Sequence, residues 1–229
     1  MDSVDPTFGV SGLLYNSNLV IYDRETFSFW SQMLEQSISG PEVLAIPERI
    51  QVVETTWGTW KEMYPDSFVM TTDTGFTRRY LESPYDGYTT SSDTLFPAAN
   101  PDSRLHPKAR VAGINVGDSS KVYPIENFDL GVSVINDTVG DLNIVAVGSS
   151  RKNLGAIYNR QLEDCTTLEF SPVQDQLPVV MADNEGSTWD IFGNAISGPR
   201  TGAALAKTNS YIAYWFAWSA FFPDAEMHQ

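Results

Sequence analysis

Ile38-Ser39-Gly40-Pro41, Trp57-x-x-Trp60 and Pro65-Asp66 return further along the chain as Ile196-Ser197-Gly198-Pro199, Trp215-x-x-Trp218 and Pro223-Asp224. Ile38 and Ile196, Trp57 and Trp215, and Pro65 and Pro223 all lie 158 residues apart, so the two stretches align without a gap. Upstream, residues 22–30 and 181–189 form two nine-residue blocks that each end in Trp with a Ser two positions before it, offset by one residue from the later anchor. This is the signature of an internal duplication, and residues shared by two copies are those the fold requires. Trp57, Trp60 and Tyr64, like Trp215, Trp218 and Phe222, recur at helical spacing. Each trio is therefore read as the apolar stripe of a short helix stopped by Pro65 or Pro223, with its tryptophans buried.

The rest of the chain reads as short strands. Residues 8–14 and 19–22 are β-type runs separated by Asn16-Ser17-Asn18, and Trp30 and Trp189 fall on strands. Further strands are expected over 110–116, 121–123, 132–135, 144–147, 156–158 and 167–170, punctuated by Gly117-Asp118 and by Asn136-Asp137-Thr138-Val139-Gly140. The expected fold is mainly β with minor α, in two duplicated lobes that each carry short antiparallel strands and one short helix. Residues 1–75 make a first lobe, 76–105 a connection and 106–229 a second lobe. Nothing before Phe8 matches the strands of 110–165, so the first lobe is incomplete at its front. The edge from Phe8 to Leu14 is expected to be open unless the second lobe, a second copy of the chain or a partner chain covers it, self-association being the favoured cover.

Composition narrows the function classes. With 14 Lys and Arg against 29 Asp and Glu, the net charge of −15 disfavours nucleic acid and anionic lipid surfaces as partners. No apolar stretch is long enough to span a bilayer as a helix. Met1-Asp2-Ser3-Val4-Asp5-Pro6 lacks the basic start and apolar core of a secretory signal. One cysteine, Cys165, excludes an intramolecular disulfide.

The run from Phe8 to Arg24, Trp30-Ser-Gln32, Thr55-Thr-Trp-Gly58, Pro84-Tyr-Asp-Gly-Tyr88, His106-Pro-Lys-Ala-Arg110 and Trp215-Phe-Ala-Trp218 together resemble a prokaryotic family catalogued as domain of unknown function 3179. The resemblance covers residues 8–224. It implies an exported or lipid-anchored protein and supplies no established activity. Full-length relatives carry a Cys-Pro-x-Cys-Gly-type motif and a nearby His ahead of the equivalent of Phe8. In the second copy, Ser149 and Lys152 stand at those thiol positions, so a cysteine-based metal, haem or redox site is not expected from this chain alone.

Local chemistry is sparse. Gly9-Val10-Ser11-Gly12 fails as a nucleophile elbow because Leu13 stands where that motif needs Gly. A nucleophile also needs a base, and the two histidines are His106, before a proline in the connection, and His228, next to the end. Two His and one Cys cannot make a conventional transition-metal site, so no metal is expected. Asp183-Asn184-Glu185-Gly186 and Asp73-Thr74-Gly75 are read as solvated turns rather than calcium ligands. The acidic neighbours of Cys165 mark an inert thiol.

Arg78, Arg79, Tyr80, Tyr85 and Tyr88 are the candidate ligand-binding residues, since they are unrepeated and sit in a Gly/Pro-rich connection. The functional expectation is a non-catalytic ligand- or partner-binding or scaffold module, placed outside the cytoplasm by resemblance. The alternative is an enzyme or redox protein of unknown reaction whose active segment lies upstream or on another chain. Catalytic residues and cofactor are not assigned by either reading.

Overall fold

The computed structural model describes residues 6–229. In chain order these form β1 (Phe8–Tyr15), β2 (Asn18–Asp23), β3 (Phe29–Ser31), β4 (Gln36–Ser39) and α1 (Trp57–Met63). After a stretch without helix or strand come β5 (Arg110–Val116), β6 (Ser119–Pro124), β7 (Ser133–Val139), β8 (Leu142–Ser149) and β9 (Leu154–Asn159). The chain continues through β10 (Phe170–Pro172), β11 (Val179–Asp183), β12 (Thr188–Asp190), β13 (Ala195–Ser197), β14 (Ala206–Lys207) and β15 (Ser210–Tyr214). It ends with α2 (Trp215–Phe221) and β16 (Glu226–Met227). The fold is mainly β with minor α, as the alternation and turn residues predict.

The strands form four sheets, ordered β1-β2-β3-β4, β10-β11-β12-β13, β14-β9-β8-β7 and β15-β5-β6-β16. The first two are antiparallel meanders, and β16 joins β6 in parallel. Contacts divide the chain into two compact units. Unit 1 takes residues 1–50, 92–108 and 214–224, and unit 2 takes 51–91, 109–213 and 225–229. Each unit therefore draws on both halves of the chain: α1, from the front half, belongs to unit 2, and α2, from the end, belongs to unit 1.

Unit 2 is layered around β8. Val145 and Val147 point into one core with Leu154, Phe170, Met181 and Trp189, while Ile144 and Ala146 point into a second core with Ile114, Tyr123 and Ile157. The side-chain period of two places these pairs on opposite faces, which makes β7-β8-β9 a middle sheet covered on both sides. In unit 1, Val20, Trp30 and Met33 are buried about the first meander, and Trp215, Ala217, Trp218 and Ala220 are buried on α2.

The two meanders make the same contacts at corresponding positions. Phe8 lies opposite Asp23 and Phe170 opposite Asp183. Phe8 meets Trp30 edge-on at 5.7 Å, and Phe170 meets Trp189 edge-on at 5.6 Å. The hairpin after β2 closes with Asp23 N–H on Ser28 O at 3.1 Å, and that after β11 with Asp183 N–H on Ser187 O at 3.0 Å. Four residues separate Asp from Ser in the first loop and three in the second, and a further residue separates Trp30 from Ile38 compared with Trp189 from Ile196, which accounts for the one-residue offset of the blocks from the anchor.

The Ser-Gly-Pro anchor packs onto the hairpin serine. Gly40, at φ +101°, would place a Cβ 2.7 Å from Ser28 Cα; Gly198, at φ +87°, would place one 2.5 Å from Ser187 Cα. The buried serine hydroxyls accept the amide of Glu42 at 3.0 Å and of Arg200 at 2.9 Å. Close approach and positive φ together explain why Gly stands in both anchors.

The helices match in local geometry and differ in burial. Tyr64 N–H bonds Trp60 O and Phe222 N–H bonds Trp218 O, both at 2.8 Å. The expectation that all four tryptophans are buried is corrected at one of them. Trp215 and Trp218 are fully buried and Trp60 half-buried, but Trp57 is 51% exposed. The reason lies in the helix sequences. In α1 the inward side is centred on Thr59 and Met63, and a spacing of two residues turns Trp57 about 160° away from Thr59. Lys61 and Glu62 keep part of α1 in solvent, whereas Trp-Phe-Ala-Trp-Ser-Ala-Phe carries no charge and is buried nearly all round.

Gly202 has φ +89° with nothing within 4 Å of a Cβ position, so it separates backbone strain from overlap. Gly202→Ala is expected to lose about 1 kcal/mol from strain, and Gly198→Ala and Gly40→Ala clearly more. Urea denaturation of the three variants checks the order, and equal losses would remove close packing as the reason for the anchor glycines.

Candidate functional site

The connection residues singled out from the sequence are dispersed. Arg78 and Arg79 are exposed, and Arg79 pairs with Glu82 at 3.2 Å with both partners in solvent. The Tyr80 hydroxyl lies 2.5 Å from Thr74 Oγ1. Tyr85 and Tyr88 come together, with ring centroids 6.4 Å apart and Tyr88 N–H on Tyr85 O at 3.0 Å. None of these five lines the cavities described below.

The remaining candidates are tied into local structure. His106 Nδ1 accepts the Lys108 amide at 3.1 Å in unit 1, and His228 lies 5.2 Å from the Tyr123 ring in unit 2. Cys165 is an exposed free thiol at a turn. Ser149 Oγ donates to Leu130 O at 2.9 Å, and Lys152 O accepts the Thr55 hydroxyl at 2.7 Å, so the loop at the implied thiol positions anchors the approach to α1. Among the described residues no group of three or more His, Cys, Asp or Glu is placed to hold a metal.

Two networks carry charge in unit 2. The Tyr123 hydroxyl donates to Asp137 at 2.8 Å, and Lys121 Nζ lies 2.7 Å from the same carboxylate. Burial, then that hydrogen bond, pushes the Tyr123 hydroxyl far above the ordinary tyrosine range, so it stays a donor. Arg200 bridges Glu185, at 2.6 Å, and Asp164, at 2.7 Å, across two turns. Each is an internally paired structural network.

Unit 1 holds two larger hollows. One, of about 400 Å³, lies between the loop of residues 92–107 and α2, lined by Thr94, Pro101, Asp102, Leu105, Phe216 and Ser219. Its polar margin is internally paired: Arg104 bonds Asp102 at 2.8 Å and covers the Trp215 ring at 5.0 Å, and Trp215 Nε1 donates to Asp102 O at 3.0 Å. The Arg104 hydrogen bond holds the Asp102 carboxyl below its ordinary range. The second hollow, of about 490 Å³, lies on the first meander and is lined by Phe8, Ile21, Trp30, Glu35, Pro47 and Ile50. Burial raises the Glu35 carboxyl although Arg49 lies 3.2 Å away.

The second hollow is built on Phe8, Ile21 and Trp30, and the corresponding residues of the other meander are all core. Ile21 faces Trp30 as Met181 faces Trp189, and Phe170, Met181 and Trp189 pack against Val145, Val147 and Leu154 of the middle sheet. The difference extends to the strand edges. The Asn136 side chain brackets Phe170, its Oδ1 accepting the Phe170 N–H at 2.9 Å and its Nδ2 donating to Phe170 O at 2.8 Å. Gln174 makes the reciprocal bracket on Val132, at 2.9 and 2.7 Å.

Among the described residues β1 is the outer strand of its sheet and pairs with β2 alone. Arg24 N–H bonds Thr7 O at 2.9 Å, as Asn184 N–H bonds Glu169 O at 2.9 Å, so the main-chain groups of Phe8, like those of Phe170, point away from the meander. On Phe8 the carbonyl is met by the Arg24 side chain at 3.3 Å, in place of a bracketing amide. Along this strand Phe8, Val10, Leu13, Leu14 and Tyr15 are exposed, Val10 by 70%.

Trp30 and Trp189 are held in the same way. Trp30 Nε1 donates to Asp23 Oδ2 at 3.0 Å and Trp189 Nε1 to Asp183 Oδ2 at 2.9 Å, both carboxylates being buried. The reading of Asp183 as part of a solvated turn is corrected, since its carboxylate is buried and accepts from the Glu185 and Ser187 amides and the Trp189 indole, and the role it shares with Asp23 was missed because their distance to the tryptophan differs between the loops. The signal that would have found them is an acidic residue at each hairpin start.

Comparison with known families adds one result. The family model described as Protein of unknown function (DUF3179) matches residues 1–225. The chain belongs to this DUF3179 family. No curated protein and no solved structure matches it. As DUF3179 membership carries no activity with it, the function has to be argued from the sheet just described.

Burial alone would raise the Asp23 carboxyl, but hydrogen bonds from the Trp30 indole, from Thr26 and from Ser28 outweigh it and hold the group at about 2. A depressed carboxyl stabilises the fold above its unfolded value, near 3.8, and that contribution is lost as pH falls toward 2. Carboxyl NMR is expected to show Asp23 titrating at about 2, and Trp30→Phe to move it upward. An Asp23 that titrates near 3.8 in the intact protein would show that the indole bond does not hold it.

Proposed function

We propose that this protein is a non-catalytic partner-binding module whose binding element is the first meander, through the open edge of β1 and the hollow at Phe8, Ile21 and Trp30. The observation that carries this reading is the contrast between Phe170, bracketed by Asn136 over a filled core, and Phe8, which lacks both covers. Matching contacts in the two meanders support their descent from one duplicated unit, with residues 1–75 and 106–229 as its two copies. In that reading the described residues of the first copy show no counterpart of the strands that cover the second, and the surface they leave open is the one used for binding.

Exposed apolar side chains on an unpaired strand are what strand addition uses, with main-chain groups supplying affinity and alternate side chains supplying specificity. Such an edge left bare invites aggregation, so a soluble protein retains one where something regularly occupies it. The first meander takes precedence over Arg78, Arg79, Tyr80, Tyr85 and Tyr88, which are dispersed and line neither hollow of unit 1. An extracytoplasmic setting is consistent with the family resemblance.

A photo-crosslinking amino acid placed at Val10 is expected to give a discrete adduct in the cells that make the protein. The same group at Phe68, which is fully exposed in unit 2, is expected to give none. Absence of an adduct at position 10 under conditions where the protein is abundant would sink the reading.

A further inference from the structure

The occupant of the open meander can be specified by comparison with the closed one. Residues 132–149 of unit 2 form a hairpin in which Val134 faces Val147 and Asn136 faces Val145. Side chains two apart on a strand share a face, so this hairpin presents valines 132, 134, 145 and 147 around a single carboxamide. The valines pack on Phe170, Met181 and Trp189, and the carboxamide closes the Phe170 main chain.

Phe8, Ile21 and Trp30 stand in the corresponding places with the same main-chain orientation, beside a hollow of about 490 Å³ whose lining also carries Gln32, Glu35, Glu48 and Arg49. We propose that the first meander docks a β-hairpin of a partner protein with this chemistry: an apolar, β-branched face carrying one Asn or Gln whose amide brackets Phe8 as Asn136 brackets Phe170. This rests on the reading of the first meander as a binding element and adds what it binds.

A second copy of this chain is a poorer occupant. Its own Asn136 is engaged with Phe170, and two chains of net charge −15 repel each other, while β1 itself carries no charged residue to offset that. The closed edge also shows which contacts docking needs. Pro172 occupies the position corresponding to Val10, two residues after the bracketed phenylalanine, and has no N–H to give. The amide bracket therefore closes the edge without a continuous ladder, whereas ordinary strand addition or β1-to-β1 pairing would use the Val10 amide.

The probe is a synthetic peptide of residues 132–149 added to the intact protein and followed by NMR. The expected result is movement of the Phe8 amide and the Trp30 indole N–H with the Trp189 indole unmoved. Asn136→Ala in the peptide should weaken binding at least tenfold. The proposal is overturned if the Asn136→Ala peptide binds equally well or if the Trp189 signal moves instead. It is also overturned if the parent protein dimerises through β1 and Val10→Pro makes it monomeric, since the occupant is then a second copy. Because Asn136→Ala is made in the peptide, the amide test does not depend on how a protein variant folds. Crosslinks at position 10 together with a peptide that does not bind would reject this occupant and leave the binding reading standing.

Discussion

A buried carboxylate organises each meander. Removing a carboxylate from water is costly unless its oxygens are hydrogen-bonded, and Asp23 meets that condition with donors from Thr26, Ser28 and the Trp30 indole. Asp183 does the same with Glu185, Ser187 and Trp189. Because each aspartate binds its own loop and the tryptophan of the next strand, it closes the hairpin and orients the indole together. The indole then defines the apolar face of the sheet, with phenylalanine edge-on beside it. The anchor glycine closes over the hairpin serine, so the third and fourth strands follow from the same point.

That organisation was partly legible in the chain. A gapless repeat exposed the anchor glycines and both helices, and the alternation of β-type runs located β1, β2 and β5 within a residue or so. The shared role of the aspartates was not found, since loops of different length shift them relative to the tryptophans and defeat reading by fixed offset. Trp57 was misread for another reason. Spacing identifies a stripe on a helix but not whether that stripe lies at the centre or the margin of the buried side, and Lys61 and Glu62 turn the margin of α1 into solvent. Asn136 and Gln174 were out of reach because each acts on a main chain 34 or 42 residues away. No local pattern encodes such a pairing.

The same hairpin thus appears under two conditions of cover, and the energetics differ accordingly. At Phe170 both main-chain groups are closed against the middle sheet, where an unpaired donor or acceptor would cost about 1–3 kcal/mol; Asn136 satisfies both at once. At Phe8 the strand is exposed, so solvent can satisfy the amide and Arg24 reaches the carbonyl. The open edge is therefore tolerable in the free protein. What it leaves unrealised is fuller burial of Phe8 and Ile21 over the buried Trp30, which the second meander obtains from Val145 and Val147.

In the proposed reading, this asymmetry is what gives the first meander a binding role. A unit whose every face is covered has nothing to offer a partner except its polar surface, and on this protein that surface is strongly acidic. Under the proposed reading, a meander that keeps the local rules of the hairpin with its outer strand open offers a preformed apolar seat, shaped by the aspartate, the indole and the anchor glycine. Preformed seats lose little conformational entropy on binding, and a single carboxamide requirement would supply selectivity, because an apolar strand without it would leave the Phe8 amide unpaired once water is excluded. Selectivity at such an edge would come less from attraction to the right strand than from the cost imposed on the wrong one.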